Sequence, residues 1–133
     1  MKNGTKTWLE FAHRDLEAAK LLVGNEYLAN VVLFHSQQCI EKCLKALLEE
    51  SSVPVPHVHS VVKLHSLLAE KTRISLAITE DELDLVDAVY IDARYPSGIG
   101  LLPSGFPTKD DARELLQIAE KTYREVSHKL IGC

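Results

Sequence analysis

A chain of 133 residues, 46% hydrophobic and 26% charged, is long enough to bury a real core and reads as one domain over 1–133. Its formal charge of −4 disfavours broad electrostatic binding to DNA or RNA, so a nucleic-acid partner is not expected. No apolar run reaches the ~20 residues of a membrane span, the opening MKNGTKTWLEFAHRD meets charge too early for a secretory leader, and three cysteines make no disulfide framework, so a reducing cytoplasm is expected.

Helical periodicity dominates from the start. Between Thr5 and Val23, the residues Trp8, Phe11, Ala12, Ala19 and Leu22 recur at helical spacing and mark one apolar face. Gly24 and Asn25, which tolerate left-handed geometry, end that helix. A second helix, about Leu28 to Glu50, carries Val32, Cys39, Ile40, Cys43, Leu44 and Leu47 on its buried side. Ser51-Ser52 and VPVPH stop it, because proline cannot donate to the helical ladder. A shorter helix is expected from Ser60 to Lys71. Thr79 to Glu82 has capping-box spacing and opens a fourth, which ends near Arg94 because Tyr95 precedes Pro96.

PSGIGLLPSGFP, residues 96–107, holds three prolines and three glycines and reads as a loop. It carries Ile99, Leu101, Leu102 and Phe106, either as a lid over the bundle or as a partner contact. Thr108 caps the last helix, whose apolar stripe is Ala112, Leu115, Leu116, Ala119, Tyr123, Val126 and Leu130. The pattern predicts an all-α fold, an up-and-down bundle of four to five helices.

Several polar residues depart from a bland bundle. Asp15 falls in the middle of the first helix's apolar stripe and needs a cationic or hydrogen-bonding partner, since an unpaired buried charge is costly. Arg94 is the expected partner. It shares a face with Asp87 and Tyr90 in the last helical turn, where a guanidinium suits the helix dipole or clamps an anion. Tyr90 and Tyr95 flank it and offer rings for stacking or hydroxyls for donation. On the second helix, His35, Gln38, Lys42 and Glu49 form a stripe opposite the apolar face, with the i, i+4 pair Glu41 and Lys45 at its edge. This is either a solvated face or the wall of a groove.

His35, Cys39 and Cys43 at i, i+4, i+8, with His57 or His59, have metal-ligating chemistry. Three ligands from one straight helix do not converge tetrahedrally, however, so no metal site is expected. Paired catalytic carboxylates, GxSxG, a glycine-rich phosphate loop and CxxC are absent from the sequence, and no cofactor is implied.

Taken together, WLEFAHRDLEAAKLLV, FHSQQCIEKCLKALL, PHVHSVVKLHSLL and YIDARYP, in that order and spacing, resemble a HEPN domain of the small stand-alone prokaryotic type over nearly the whole chain. The resemblance implies a helical bundle that commonly forms a homodimer and associates with polar or nucleotide ligands. It also implies pairing with a minimal nucleotidyltransferase, in the manner of a toxin and its antitoxin. A large branch of the family is ribonucleolytic through an Arg-x4-6-His motif on the closing helix. The nearest match here is Arg124 and His128 with only three residues between them, beside Glu120 and Glu125, so a departure from that motif is expected and catalysis is not.

Three functions remain open on the sequence. The first is a non-catalytic module binding a nucleotide or similar phosphorylated ligand, or regulating a nucleotidyltransferase. There Arg94 and Lys42 would hold phosphate, Asp15 would orient Arg94, Tyr90 or Tyr95 would stack, and His35 and Gln38 would line the groove. The second is a metal-independent endoribonuclease using Arg124 and His128. The third is a dimer whose polar residues are internal scaffolding.

Overall fold

The structure is a computed structural model describing residues 1–94 and 106–131, with the backbone alone for 91–94. Among the described residues the chain forms five α-helices and no strand: α1 (Asn3–Leu22), α2 (Ala29–Glu50), α3 (Val61–Lys71), α4 (Glu80–Arg94) and α5 (Lys109–Ile131). A 3-10 turn at Glu26–Leu28 links α1 to α2, with the Asn25 side chain accepting from the Tyr27 N–H at 3.1 Å. The all-α bundle follows the sequence pattern, and the helix ends fall within a few residues of those the caps predict.

Those ends are set by local chemistry. Thr79 and Glu82 exchange hydrogen bonds, the Thr79 N–H to Glu82 at 2.9 Å and the Glu82 N–H to Thr79 at 3.1 Å, which satisfies two donors at the start of α4. Thr108 and Asp111 repeat the device at α5, at 2.9 and 3.1 Å. The C-terminus of α2 closes differently. Val53 N–H reaches back to Leu48 C=O at 2.9 Å and Ser52 N–H to Glu49 C=O at 3.1 Å, with Ser52 at φ 58°. This is a Schellman closure in which serine takes the left-handed position glycine usually fills.

α2 is the central helix and packs against α1, α3, α4 and α5. Its Val32, Leu33, Ile40, Leu44, Leu47 and Leu48 are fully buried, facing Leu9, Ala12 and Leu16 of α1, Leu64 and Leu68 of α3, Val86 of α4 and Leu115 of α5. Cys39 and Cys43 belong to this core, as their spacing predicts. Burial, then a hydrogen bond with Cys39, pushes the Cys43 thiol well above its ordinary value, which keeps it a neutral, inert hydrophobe. α1 and α2 run antiparallel. The start of α1 is tied to the end of α2 where Glu50 accepts from the Lys2 N–H at 3.0 Å and from Thr5 Oγ1 at 2.9 Å.

Two expectations change in the fold. Glu41 and Lys45 are not at the edge of a solvated face; their side chains are 4% and 7% exposed. Phe11, assigned to the apolar stripe of α1, is instead 48% exposed, while Ala12 beside it is fully buried.

Candidate functional site

Asp15 is buried, as its place in the stripe requires, and both carboxylate oxygens are taken. Oδ1 accepts from His35 Nδ1 at 2.8 Å and Oδ2 from Lys42 Nζ at 2.5 Å. Both partners come from α2, seven residues apart, which places them on one helical face two turns apart. Because a carboxylate only accepts, His35 carries its proton on Nδ1, and in the neutral ring Nε2 is left as an acceptor. His35 and Lys42 are 29% and 21% exposed, so the cluster is anchored in the bundle and open to water at one side. The partner expected of Asp15 was Arg94; that side chain lies outside the described residues, as does Tyr95.

Gln38 sits between His35 and Lys42 on the same stripe and leads to a second cluster. Its Nε2 donates to Gln37 Oε1 at 2.7 Å, and Gln37 Nε2 in turn reaches Glu41 at 3.3 Å and the His59 carbonyl at 3.2 Å. Glu41 also takes Lys45 Nζ and His59 Nδ1, each at 3.1 Å. Lys45 lies over the Trp8 ring at 5.3 Å, and Tyr90 stacks on His59 at 5.5 Å. This second cluster is largely internal. It joins α1, α2, the 54–60 segment and α4 through one buried carboxylate with several donors, which is how such a charge is tolerated.

Of the predicted binding residues, Asp15, His35 and Lys42 therefore meet directly. Gln38, on the same stripe, belongs to the neighbouring network through Gln37, and Tyr90 belongs to it through His59. Sequence reasoning missed Gln37, Glu41 and His59 as a unit. Glu41 and Lys45 were visible as an i, i+4 pair, but only the approach of the 54–60 segment makes them interior.

Arg124 and His128 lie elsewhere. They line a cleft of about 510 Å³ between α5 and α1, with His13, Glu17 and Lys20 on the α1 side and Glu120 and Tyr123 on α5. At 100° per residue, Asp15 points about 140–160° away from His13, Glu17 and Lys20, so cleft and Asp15 cluster stand back to back across α1. The His13 ring is 5.5 Å from Tyr123, and Glu17 takes Lys20 at 3.1 Å. Partial burial raises the Tyr123 phenol against the opposing pull of a Ser127 hydrogen bond, so it remains a donor at neutral pH. Among the described residues no group of three His, Cys, Asp or Glu side chains is placed to hold a metal ion, and no helix is long and apolar enough to cross a membrane.

Comparison with known proteins agrees with this architecture. The family model of the HEPN domain matches residues 5–129. A Methanocaldococcus jannaschii protein named "Putative toxin MJ1304" is 32% identical over 124 residues, spanning 86% of this chain and 80% of that protein. Among solved structures, TT1696 from Thermus thermophilus superposes with a TM-score of 0.76 at 28% identity, covering 96% of this chain and 99% of the other. ST0689, described as an archaeal HEPN homologue, gives a TM-score of 0.68 at 27% identity, covering 97% and 98%.

Proposed function

The chain belongs to the HEPN domain family, and from that membership we propose that it is the toxin-like member of a two-protein pair with a minimal nucleotidyltransferase, homodimeric and non-catalytic, binding a phosphorylated ligand over the polar face of α2. The likeness to a protein named as a toxin supports the pairing. The Asp15–His35–Lys42 cluster carries the ligand reading. Asp15 holds an ammonium and an imidazole at a fixed separation on a rigid helix, with both side chains partly open to water. A phosphate arriving there meets the Lys42 charge directly. The His35 ring, held by Asp15 beside it, lines the same face. Gln38, between them, adds an amide, and Arg94 and Tyr95 complete the set in this reading.

Calorimetric titration with inorganic tripolyphosphate tests this. Saturable binding is expected, weakened about ten- to a hundredfold by Lys42→Met, the size of a lost charge-assisted hydrogen bond. Equal affinity of wild type and variant would exclude the α2 face.

The α1–α5 cleft favours a second reading, a metal-independent endoribonuclease. There Arg124 and His128 share one cleft with His13, so that a phosphate ligand and proton-transfer groups would be assembled from two helices. Glu17 and Glu120 line the same cleft and offset the charges of Lys20 and Arg124, so a phosphodiester gains no net attraction there, which ranks this reading below the first. It requires RNA cleavage in the presence of a chelator, abolished by His128→Ala; identical cleavage by both preparations would dismiss it.

A further inference from the structure

The two walls of the α1–α5 cleft treat their charges differently. On the α1 wall Glu17 is satisfied, with Lys20 at 3.1 Å and His13 at 4.0 Å. On the α5 wall Glu120, Arg124 and His128 follow one another at i, i+4 and i+8, so all three lie along one face. Among the described residues, none of these three has an ion pair or a hydrogen bond. That is not what the same spacing does elsewhere in the chain. Glu10 and Arg14 have the Glu-before-Arg order that favours a helical ion pair, and they close at 3.3 Å. Glu120 and Arg124 have the same order and stay apart, both lining the cleft, with the Tyr123 ring and the Leu16 and Ile131 side chains as apolar surface beside them.

We propose that the α1–α5 cleft binds a short zwitterionic peptide of dipeptide size, its ammonium at Glu120 and its carboxylate at Arg124. Sign, span and size all bear on this. A simple anion meets the acids of the cleft and a simple cation meets its bases; a ligand carrying both signs satisfies Glu120 and Arg124 together. The guanidinium offers a planar fork that matches a carboxylate. One helical turn sets the two residues about 6 Å apart along α5. The charges of a free amino acid sit on one carbon and do not span that distance, whereas an extended dipeptide, at about 3.3–3.6 Å per residue, sets its ends about 7 Å apart. A cleft of about 510 Å³ lies in the range of small-ligand sites. Leu16, Tyr123 and Ile131 then receive apolar side chains, so an apolar dipeptide is the expected occupant. The inference is independent of the polar face of α2.

Calorimetric titration of the full chain with leucyl-leucine tests the site. Saturable binding is expected. It should weaken about tenfold or more for N-acetyl-leucyl-leucine, which lacks the ammonium, for leucyl-leucinamide, which lacks the carboxylate, and for free leucine. Two variants separate the ends of the peptide, and matching thermal midpoints show that both are folded. Glu120→Gln should bind the acetylated and free-amine peptides alike, and Arg124→Gln should bind the amide and the acid alike. No saturation with leucyl-leucine overturns the proposal. Equal affinity of wild type for the acetylated peptide also overturns it, leaving a plain anion site. Discrimination that persists in both variants places the peptide elsewhere on the chain and overturns it too. A dimer in sedimentation that Glu120→Arg splits and leucyl-leucine does not would assign the cleft to a second copy instead. None of these outcomes bears on the tripolyphosphate titration at Lys42.

Discussion

Glu41 is a buried residue on which three polar side chains depend. One carboxylate, almost wholly enclosed, accepts from Lys45, His59 and Gln37. Removing one partner of a buried pair strands the other, which costs about 3–5 kcal/mol, whereas exchanging both for apolar groups of similar volume is often neutral. Glu41→Ala should therefore lower stability by about 3 kcal/mol in urea denaturation. The double variant Glu41→Leu, Lys45→Met should recover most of that loss. A double variant as unstable as the single one would show that His59 and Gln37, rather than Lys45, set the cost. The spacing of Glu41 and Lys45 was legible in the sequence, but their burial was not. An i, i+4 ion pair looks the same on a wet face and a covered one, and the cover arrives from residues 54–60 and α4. Asp15 was the opposite case. A carboxylate inside an apolar stripe announces a partner, and the structure supplies two from α2.

Among the elements, Asp87 shows one helix ending another's exposure. The sequence places it on the same face of α4 as Tyr90 and Arg94. In the fold it crosses to the start of α3, accepting from Ser60 Oγ at 2.6 Å, the Val61 N–H at 2.7 Å and the Val62 N–H at 3.4 Å. Ser60 meanwhile caps the Lys63 N–H at 3.1 Å. Two of the orphan donors of α3 thus depend on α4, and docking of α4 and capping of α3 are one event. Asp87→Ala is expected to cost about 2 kcal/mol, at the upper end of the usual cap loss, and to raise amide exchange first in α3. Loss of protection confined to α4 would contradict this. The capping box at Thr79 was readable because its partners are three residues apart. The Asp87 contact spans 26 residues and leaves no local signature.

Across the bundle as a unit, two carboxylates fasten helices at their ends, and both have lowered pKa values. Glu50 is held down by the Lys2 N–H and by Thr5. Partial burial works to raise Glu82, but the Thr79 N–H and Lys121, at 3.0 Å, outweigh it. A carboxylate whose folded pKa is depressed contributes its full stabilisation above the ordinary glutamate value of about 4.3 and loses it as pH falls through the folded value. Stability should therefore be level from neutrality towards pH ~5 and fall below it. Glu82→Gln, which keeps an acceptor for Thr79 but loses the ion pair with Lys121, should make that acid limb shallower. An unchanged slope would remove Glu82 from the account.

Local pattern in the chain was enough for the helices, their caps, the all-α class, the cysteine-bearing core of α2 and the family. Periodicity and capping act between residues one turn apart, so the chain displays them directly. Packing in three dimensions was needed to pair Asp15 with His35 and Lys42, to make Glu41 and Lys45 interior, and to turn Phe11 to water. It also set Arg124 and His128 across a cleft from His13, on the far side of α1. The physical reason is that α2 is enclosed by four helices, and which of its faces each neighbour covers is settled by contacts between segments distant in the chain. A hydrophobic period identifies one buried face; it does not say how many others the fold will bury.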